Sequence, residues 1–289
     1  MHALAVDATF VRAASVLVVA RDRVPGAFAS AFRPWGDGSL LAIAYQGDEP
    51  APLVRLVEDG TTLEIATRRV RLDGATNFRD AGGLQTPRGP LPWRRRFRSE
   101  NLARLSTRDW DVLEALGIRL VIDLRAPSEA AMAPTRAPSF VELRPMPLAA
   151  PLAGAEDATE AILTGRLQRV TPDDLIVHYE RLVKHHASVL HAAADVLDTA
   201  PDPLVVHCTA GKDRTGLVVA LWQLGAGADL TSVIEDFALS NLLRTVPRFV
   251  ELRDRIAATG TDPRAVQPYL SAVVPALLHA LSLLGVVTA

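Results

Sequence analysis

One decapeptide, His207-Cys208-Thr209-Ala210-Gly211-Lys212-Asp213-Arg214-Thr215-Gly216, sets most of what this chain can fold into. It is polar and carries two glycines between the apolar runs at 204–206 and 217–221. That order reads as a buried strand, a tight loop and a buried helix, which is the junction of an α/β sheet. At such a junction backbone N–H groups and a helix N-terminus converge on a small concavity, where unsatisfied donors and the helix dipole both favour an anion. Cys208 is the only cysteine in the chain. It falls at the floor of the concavity, where the same field favours a nucleophilic thiolate. Arg214, six positions on, is planar and always charged, and can hold two oxygens of a phosphate-sized anion at once.

A lone cysteine is often a buried apolar filler, but the composition argues against that here. The basic residues are nearly all arginine, with lysine only at 184 and 212, and one of the two lysines stands four positions after the one cysteine. The net charge of −2 gives no reason to expect nucleic acid as a partner. A single cysteine also excludes an internal disulfide and a cysteine-rich metal site. Residues 13–20 are apolar but short and follow Asp7, so they read as a strand and not as a signal peptide. Residues 270–289 form a charge-free run long enough to span a bilayer. Its large residues Leu270, Val273, Val274, Leu277, Leu278, Leu281 and Leu284 keep helical spacing, with Ser271, Ala272, Ala276, His279 and Ala280 on the other face. The expectation is a packed helix and no integral membrane segment. The expected location is the cytoplasm, secretion without a recognisable signal staying open.

Residues 1–70 give short apolar runs at 11–20, 40–45 and 53–57, broken by glycine and proline turns, and read as a small β-rich module. Glu58-Asp59-Gly60-Thr61 is its clearest hairpin, because Asp-Gly suits a turn with positive φ. From Arg69 the texture changes to strands interleaved with helices, which makes residues 71–289 an α/β domain. Arg94, Arg95, Arg96 and Arg98 read for the most part as a solvated strand face. Ser106 caps a helix running to Ala115 and stopped at Gly117. Residues 118–124 are a buried strand ending in Asp123, and functional groups collect at such strand ends in open α/β sheets. Residues 127–151 are proline-rich around a strand at 140–143, and residues 153–170 read as an excursion. Thr171-Pro172-Asp173-Asp174 opens a long helix whose buried stripe includes Leu175, Tyr179, Leu182, His186, Leu190 and Leu197. His178, His185, His186 and His191 lack a third ligand at metal spacing and read as ordinary helix residues. Further helices are expected at 213–224, 229–241 and 246–259.

The decapeptide resembles the signature loop of cysteine-dependent phosphatases of the protein tyrosine phosphatase superfamily. More narrowly, the chain is similar to the bacterial tyrosine/serine and lipid phosphatase family typified by mycobacterial protein tyrosine phosphatase B, whose loop carries the same Gly-Lys-Asp-Arg-Thr-Gly. Asn77-Phe78-Arg79-Asp80, Phe97-Arg98-Ser99, Asp123-Leu124-Arg125 and Asp236-Phe237-Ala238-Leu239-Ser240-Asn241 follow the same family in the same order. The resemblance covers roughly residues 72 to 272. It implies a phosphotyrosine-phosphatase-like domain, with a central, mostly parallel sheet flanked by helices, after the β-rich module.

The residues then support phosphomonoester hydrolysis through a phosphocysteine. Cys208 attacks phosphorus while Arg214 and the loop backbone from Thr209, Ala210, Gly211 and Lys212 to Thr215 and Gly216 hold the equatorial oxygens. A carboxylic acid must protonate the leaving oxygen. Asp123 is the first choice, at its strand end and at the family's Asp-Leu-Arg position, and Asp213 in the loop is the competitor. Thr215 is expected to donate toward the sulfur, and His207 to orient the loop from behind. No cofactor or metal is required. The expected partner is a phosphorylated protein, or a phosphoinositide given the added charge of Lys212. A sulfurtransferase and a non-catalytic phospho-ligand module are the alternatives from other classes.

Overall fold

The computed structural model describes residues 2–7, 9–11, 16–20, 24, 26–35, 40–44, 50–149 and 158–287. Its first part is β-rich. Strands β1 (His2–Asp7), β2 (Thr9–Val11), β3 (Val16–Ala20), β4 (Arg33–Trp35), β5 (Leu40–Ala44), β6 (Leu53–Glu58) and β7 (Thr61–Ala66) form two sheets, ordered β1-β7-β6 and β2-β3-β5-β4. The Asp-Gly hairpin forms as the sequence suggests. β6 and β7 pair antiparallel, and Asp59 and Gly60 take φ of 47° and 76° in the two-residue turn. Val19, Phe28, Phe32, Leu41, Leu63 and Ile65 build a small core of their own beneath these sheets.

The remaining strands, β8 (Arg79–Asp80), β9 (Arg96–Ser99), β10 (Leu120–Asp123), β11 (Glu142–Pro145) and β12 (Leu204–His207), make one five-stranded sheet ordered β11-β10-β12-β9-β8. All neighbours are parallel except β8, which runs antiparallel to β9. Both faces are covered, as a mostly parallel sheet requires. On one face Leu120, Ile122, Leu204 and Val206 pack with α4 (Pro172–Thr199), α5 (Asp213–Gly225) and α9 (Val274–Leu283). On the other, Val121, Val205 and Phe97 pack with Trp110 and Leu113 of α1 (Thr107–Ala115). The period-2 alternation of β10 and β12 thus divides the core between the two faces. The chain also forms α2 (Pro127–Met132), α3 (Ala158–Leu163), α6 (Leu230–Ser240), α7 (Val246–Ala257) and α8 (Gln267–Leu270).

Two helix starts follow the expected capping chemistry. Ser106 and Asp109 form a reciprocal box at α1, and Thr171 and Asp174 form one at α4, where Pro172 occupies the first turn. Three expectations need correction. Residues 153–170 are not all excursion, since α3 buries Ala161 and Ile162 in the core; residues 150–157 lie outside the described part. The long helix bends at His186, whose φ of −135° leaves the helical range and whose Nε2 lies 2.7 Å from the Ala149 carbonyl, so this histidine drops out of the buried stripe. At the C-terminal end the small residues Ala276 and Ala280 are buried beside Leu277 and Leu281, because small side chains let α9 lie close against α4. The Pro263–Leu283 stretch has the length and composition of a membrane crossing. It is nevertheless not one helix: a 3-10 turn, α8 and α9 divide it, with extended backbone at Ser271.

The arginine-rich strand is the largest departure from the sequence reading. Arg96 and Arg98 are buried, not solvated. Arg96 caps the C-terminal end of α4, donating to the carbonyls of Leu197, Ala200 and Asp202. Arg98 reaches Asp236 of α6 at 2.7 Å. Hydrophobic periodicity reads these residues as an exposed face because it carries no information on partners more than 100 positions away.

Candidate active site

β12 is the middle strand of its sheet, so the loop after it opens above the centre of the domain, at the carboxyl ends of the parallel strands. The loop holds its shape through glycine and through donors from behind. Gly211 has a φ of +70°, and a Cβ there would stand 2.3 Å from the Ser99 carbonyl oxygen. Asn77 Nδ2 donates to the carbonyls of Ala210 at 3.2 Å and Gly211 at 3.3 Å, and Arg98 donates to Gly211 at 3.1 Å. The Asn101 N–H donates to the Thr209 carbonyl at 3.2 Å. Three successive carbonyls are thereby drawn to the back of the loop. On the other side the Gly211 N–H points at Cys208 Sγ from 3.3 Å, while the Gly216 N–H is taken by the Lys212 carbonyl at 2.9 Å.

Behind Asn77 lies a buried charge cluster. The Asp236 carboxylate accepts from Arg79 and Arg98, with Arg68 3.9 Å away. Burial would raise the Asp236 carboxyl, but Arg79, Arg98 and Arg68 outweigh it and hold the pKa at about 2. Arg79 also donates to Asn77 Oδ1, and its own pKa falls to about 9 through burial and the nearby Arg98. The cluster thus links β8, β9 and α6 to the side chain that shapes the loop.

Arg214 is held from the side by Glu129 of α2, a residue without any signal in the sequence reading. Its two terminal nitrogens donate to the two carboxylate oxygens at 2.5 and 2.7 Å, and Thr209 Oγ1 donates to the same carboxylate. Burial pushes Glu129 upward, yet the bonds from Arg214 and Thr209 outweigh it and hold the pKa at about 2. Glu129 in return raises the affinity of Arg214 for its proton against the effect of burial. The pair fixes the guanidinium plane relative to the loop.

The two candidate acids have different surroundings. Asp123 is buried and already committed: Oδ1 accepts from Arg125 N and Nε at 3.0 and 2.9 Å, and Oδ2 from Nη2 at 2.6 Å. Burial raises its pKa, but the Arg125 bonds and charge leave it lowered overall. Arg125 also donates to the Ala133 carbonyl at 2.6 Å and to Thr135. Asp123-Leu124-Arg125 is therefore a clasp that ties α2, and Glu129 with it, to the strand end, a placement that argues against Asp123 as the proton donor. Asp213 opens α5 beside Arg214; its Oδ1 accepts from Tyr179 Oη at 3.0 Å, and its Oδ2 pairs with the Lys212 ammonium at 2.7 Å. Its charge reaches Arg214, as does that of Cys208.

Lys212 is only 4% exposed. Besides Asp213 it donates to the Ser271 carbonyl at 3.2 Å and lies over the Tyr269 ring at 5.7 Å. His207 is buried, with Nδ1 3.1 Å from the Cys208 carbonyl, and burial lowers its pKa to about 4. A neutral ring that donates from Nδ1 fits its expected place behind the loop. Thr215 Oγ1 is buried and has no hydrogen-bond partner among the described residues, so the expected bond to the sulfur is not formed here. A Cβ on Gly216 would meet the Phe237 ring at 2.7 Å, which explains glycine at that place. No cluster of metal-ligating residues occurs among the described residues.

Residues 70–284 match the family model described as the tyrosine phosphatase family. The chain is 33% identical over 208 residues to the triple specificity protein phosphatase PtpB of Mycobacterium tuberculosis, a match covering 64% of this chain and 72% of that protein. It is 32% identical over 147 residues to a tyrosine-protein phosphatase of Nostoc commune, covering 50% and 47% of the two chains.

Proposed function

Since the chain belongs to the tyrosine phosphatase family and is a phosphatase, we propose that it hydrolyses phosphotyrosine through a phosphocysteine formed on Cys208. The observation that carries this reading is the arrangement at the loop: a cysteine sulfur faced by the Gly211 N–H, beside an arginine locked in plane by Glu129. In the first step the Cys208 thiolate attacks phosphorus while Arg214 and the loop N–H groups hold the equatorial oxygens. The bond from phosphorus to the leaving oxygen breaks, and Asp213 gives that oxygen its proton. In the second step water attacks the phosphocysteine, Asp213 takes a proton from the water, and the sulfur leaves as a thiolate. Thr215, whose hydroxyl has no other partner among the described residues, is suited to donate to the departing sulfur.

Asp213 takes precedence over Asp123 in this mechanism because Asp123 is fully engaged by Arg125. A substrate range broader than phosphotyrosine draws support from the triple-specificity name of the mycobacterial relative. Lys212 argues against the lipid reading, since its ammonium is buried between Asp213 and Ser271. Initial rates on a phosphotyrosine peptide, a phosphoserine peptide and a soluble phosphoinositide rank these substrates. The tyrosine peptide is expected to lead, and a dominant phosphoinositide rate would overturn that order. Cys208→Ser is expected to abolish turnover of all three, and retained turnover would exclude the nucleophile.

A further inference from the structure

Tyr179 sits within the buried stripe of α4, and its side chain is fully buried. Phenylalanine would fill this space without desolvating a hydroxyl, and a buried hydroxyl costs free energy unless it is bonded. Burial, then the negative charges of Asp213 and Cys208, hold the phenol well above its ordinary pKa, so the group stays a proton-bearing donor. Asp213 Oδ1 is its acceptor at 3.0 Å, and no other partner occurs among the described residues.

We propose that Tyr179 is a positioning residue for proton transfer, fixing Oδ1 of Asp213 so that Oδ2 is the oxygen that gives and takes the catalytic proton. The inference rests on the reading of Asp213 as the general acid. The two carboxyl oxygens are not equivalent. Oδ1 is tied to a group with nowhere else to bond, whereas Oδ2 meets Lys212 Nζ at 2.7 Å, and that lysine has a second acceptor in the Ser271 carbonyl. Oδ2 can therefore be released, and Oδ1 cannot. In the first step the proton passes from Oδ2 to the leaving oxygen as the phosphorus–oxygen bond breaks. In the second, Oδ2 takes a proton from the attacking water. Oδ1 accepts from Tyr179 throughout, because the carbonyl oxygen of a carboxylic acid accepts as a carboxylate oxygen does. Without the tyrosine the carboxyl is free to rotate, and a misplaced proton donor loses rate in proportion to how much the leaving group needs it.

The test compares Tyr179→Phe with the native enzyme on phenyl phosphate, whose leaving group needs protonation, and on p-nitrophenyl phosphate, whose leaving group needs it far less. The expected result is a fall in kcat/KM of about tenfold on phenyl phosphate, against less than about twofold on p-nitrophenyl phosphate. In an Asp213→Asn background the same substitution is expected to add nothing, because it acts through a proton that is no longer there. Equal losses on both substrates, or a full additional loss in the Asn background, would overturn the proposal in favour of plain packing. If Asp213→Asn alone loses both substrates equally, the general-acid reading fails and this inference falls with it. If Asp213→Asn discriminates between them while Tyr179→Phe does not, only the tyrosine's role is lost.

Discussion

His207 illustrates how a buried side chain at the loop converts into a measurable pH dependence. Its pKa is about 4 in the folded chain against an ordinary 6.5, because burial disfavours the charged ring. The unfolded chain therefore binds the proton first as pH falls, so this residue's contribution to stability is full above about 6.5 and is lost progressively down to about 4. The loss is on the order of 3 kcal/mol. Thermal melts between these limits should show the decline, and His207→Gln should flatten it; an unchanged slope in the variant would remove His207 as its source. At this scale the sequence was informative wherever chemistry is local. Cys208, Arg214 and Gly211 announce themselves by type and spacing, whereas the ranking of Asp123 over Asp213 depended on which carboxylate an arginine already held. The Arg125 side chain engages Asp123 from two positions away, and nothing in the spacing records which way it turns.

Among the elements, α2 has the largest functional weight for its six residues. Glu129 bonds Arg214 from this helix, and Arg125 fixes the helix's far end through Ala133 and Thr135. Arg125→Ala should therefore act twice. It leaves Asp123 buried without its partner, a loss of about 3–5 kcal/mol in stability, and it loosens Glu129. Glu129→Gln should reproduce the catalytic part alone, with kcat/KM on p-nitrophenyl phosphate down roughly tenfold and the melting temperature little changed. Denaturant melts alongside steady-state rates separate the two; a Gln variant as active as the native enzyme would show that Arg214 needs no clamp. The strand, loop and helix from β12 to α5 was legible because both flanks are continuous apolar runs. The α2 helix was not, since it begins at Ala126 without a capping side chain, and its Pro127 and Glu129 were absorbed into a proline-rich stretch. The same limit hid Arg96 and Arg98. A charged residue in a strand pattern looks solvated until Asp236, 138 positions on from Arg98, is folded against it.

On the scale of the whole molecule, the loop's position follows from strand order. β12 lies between β10 and β9, so both neighbours contribute strand-end groups to one rim: Asp123 and Arg125 from one side, Ser99 and the loop after it from the other. The α/β class and the central parallel sheet could be read from alternating strand and helix signals, but the order of strands could not. The link to the β-rich part is closer than a change of texture at residue 70 suggests. Ala51 is buried with Val70, Phe78 and Phe97, and its carbonyl accepts from Arg94 at 2.6 Å. Ala51→Leu is accordingly expected to destabilise the fold by about 1–3 kcal/mol, because the larger side chain overpacks this buried apolar site. A melting temperature equal to that of the native chain would show that this contact carries no load.

All these scales serve one claim, that the Cys208 sulfur carries the phosphoryl group between substrate and water. Acid quenching of the enzyme within milliseconds of mixing with an aryl phosphate, followed by mass analysis of its peptides, tests it most directly. One phosphoryl group is expected on the peptide containing Cys208, absent in Cys208→Ser and gone once substrate is exhausted. Turnover at the native rate with no phosphoryl group on that peptide, or with the group on another residue, would contradict it.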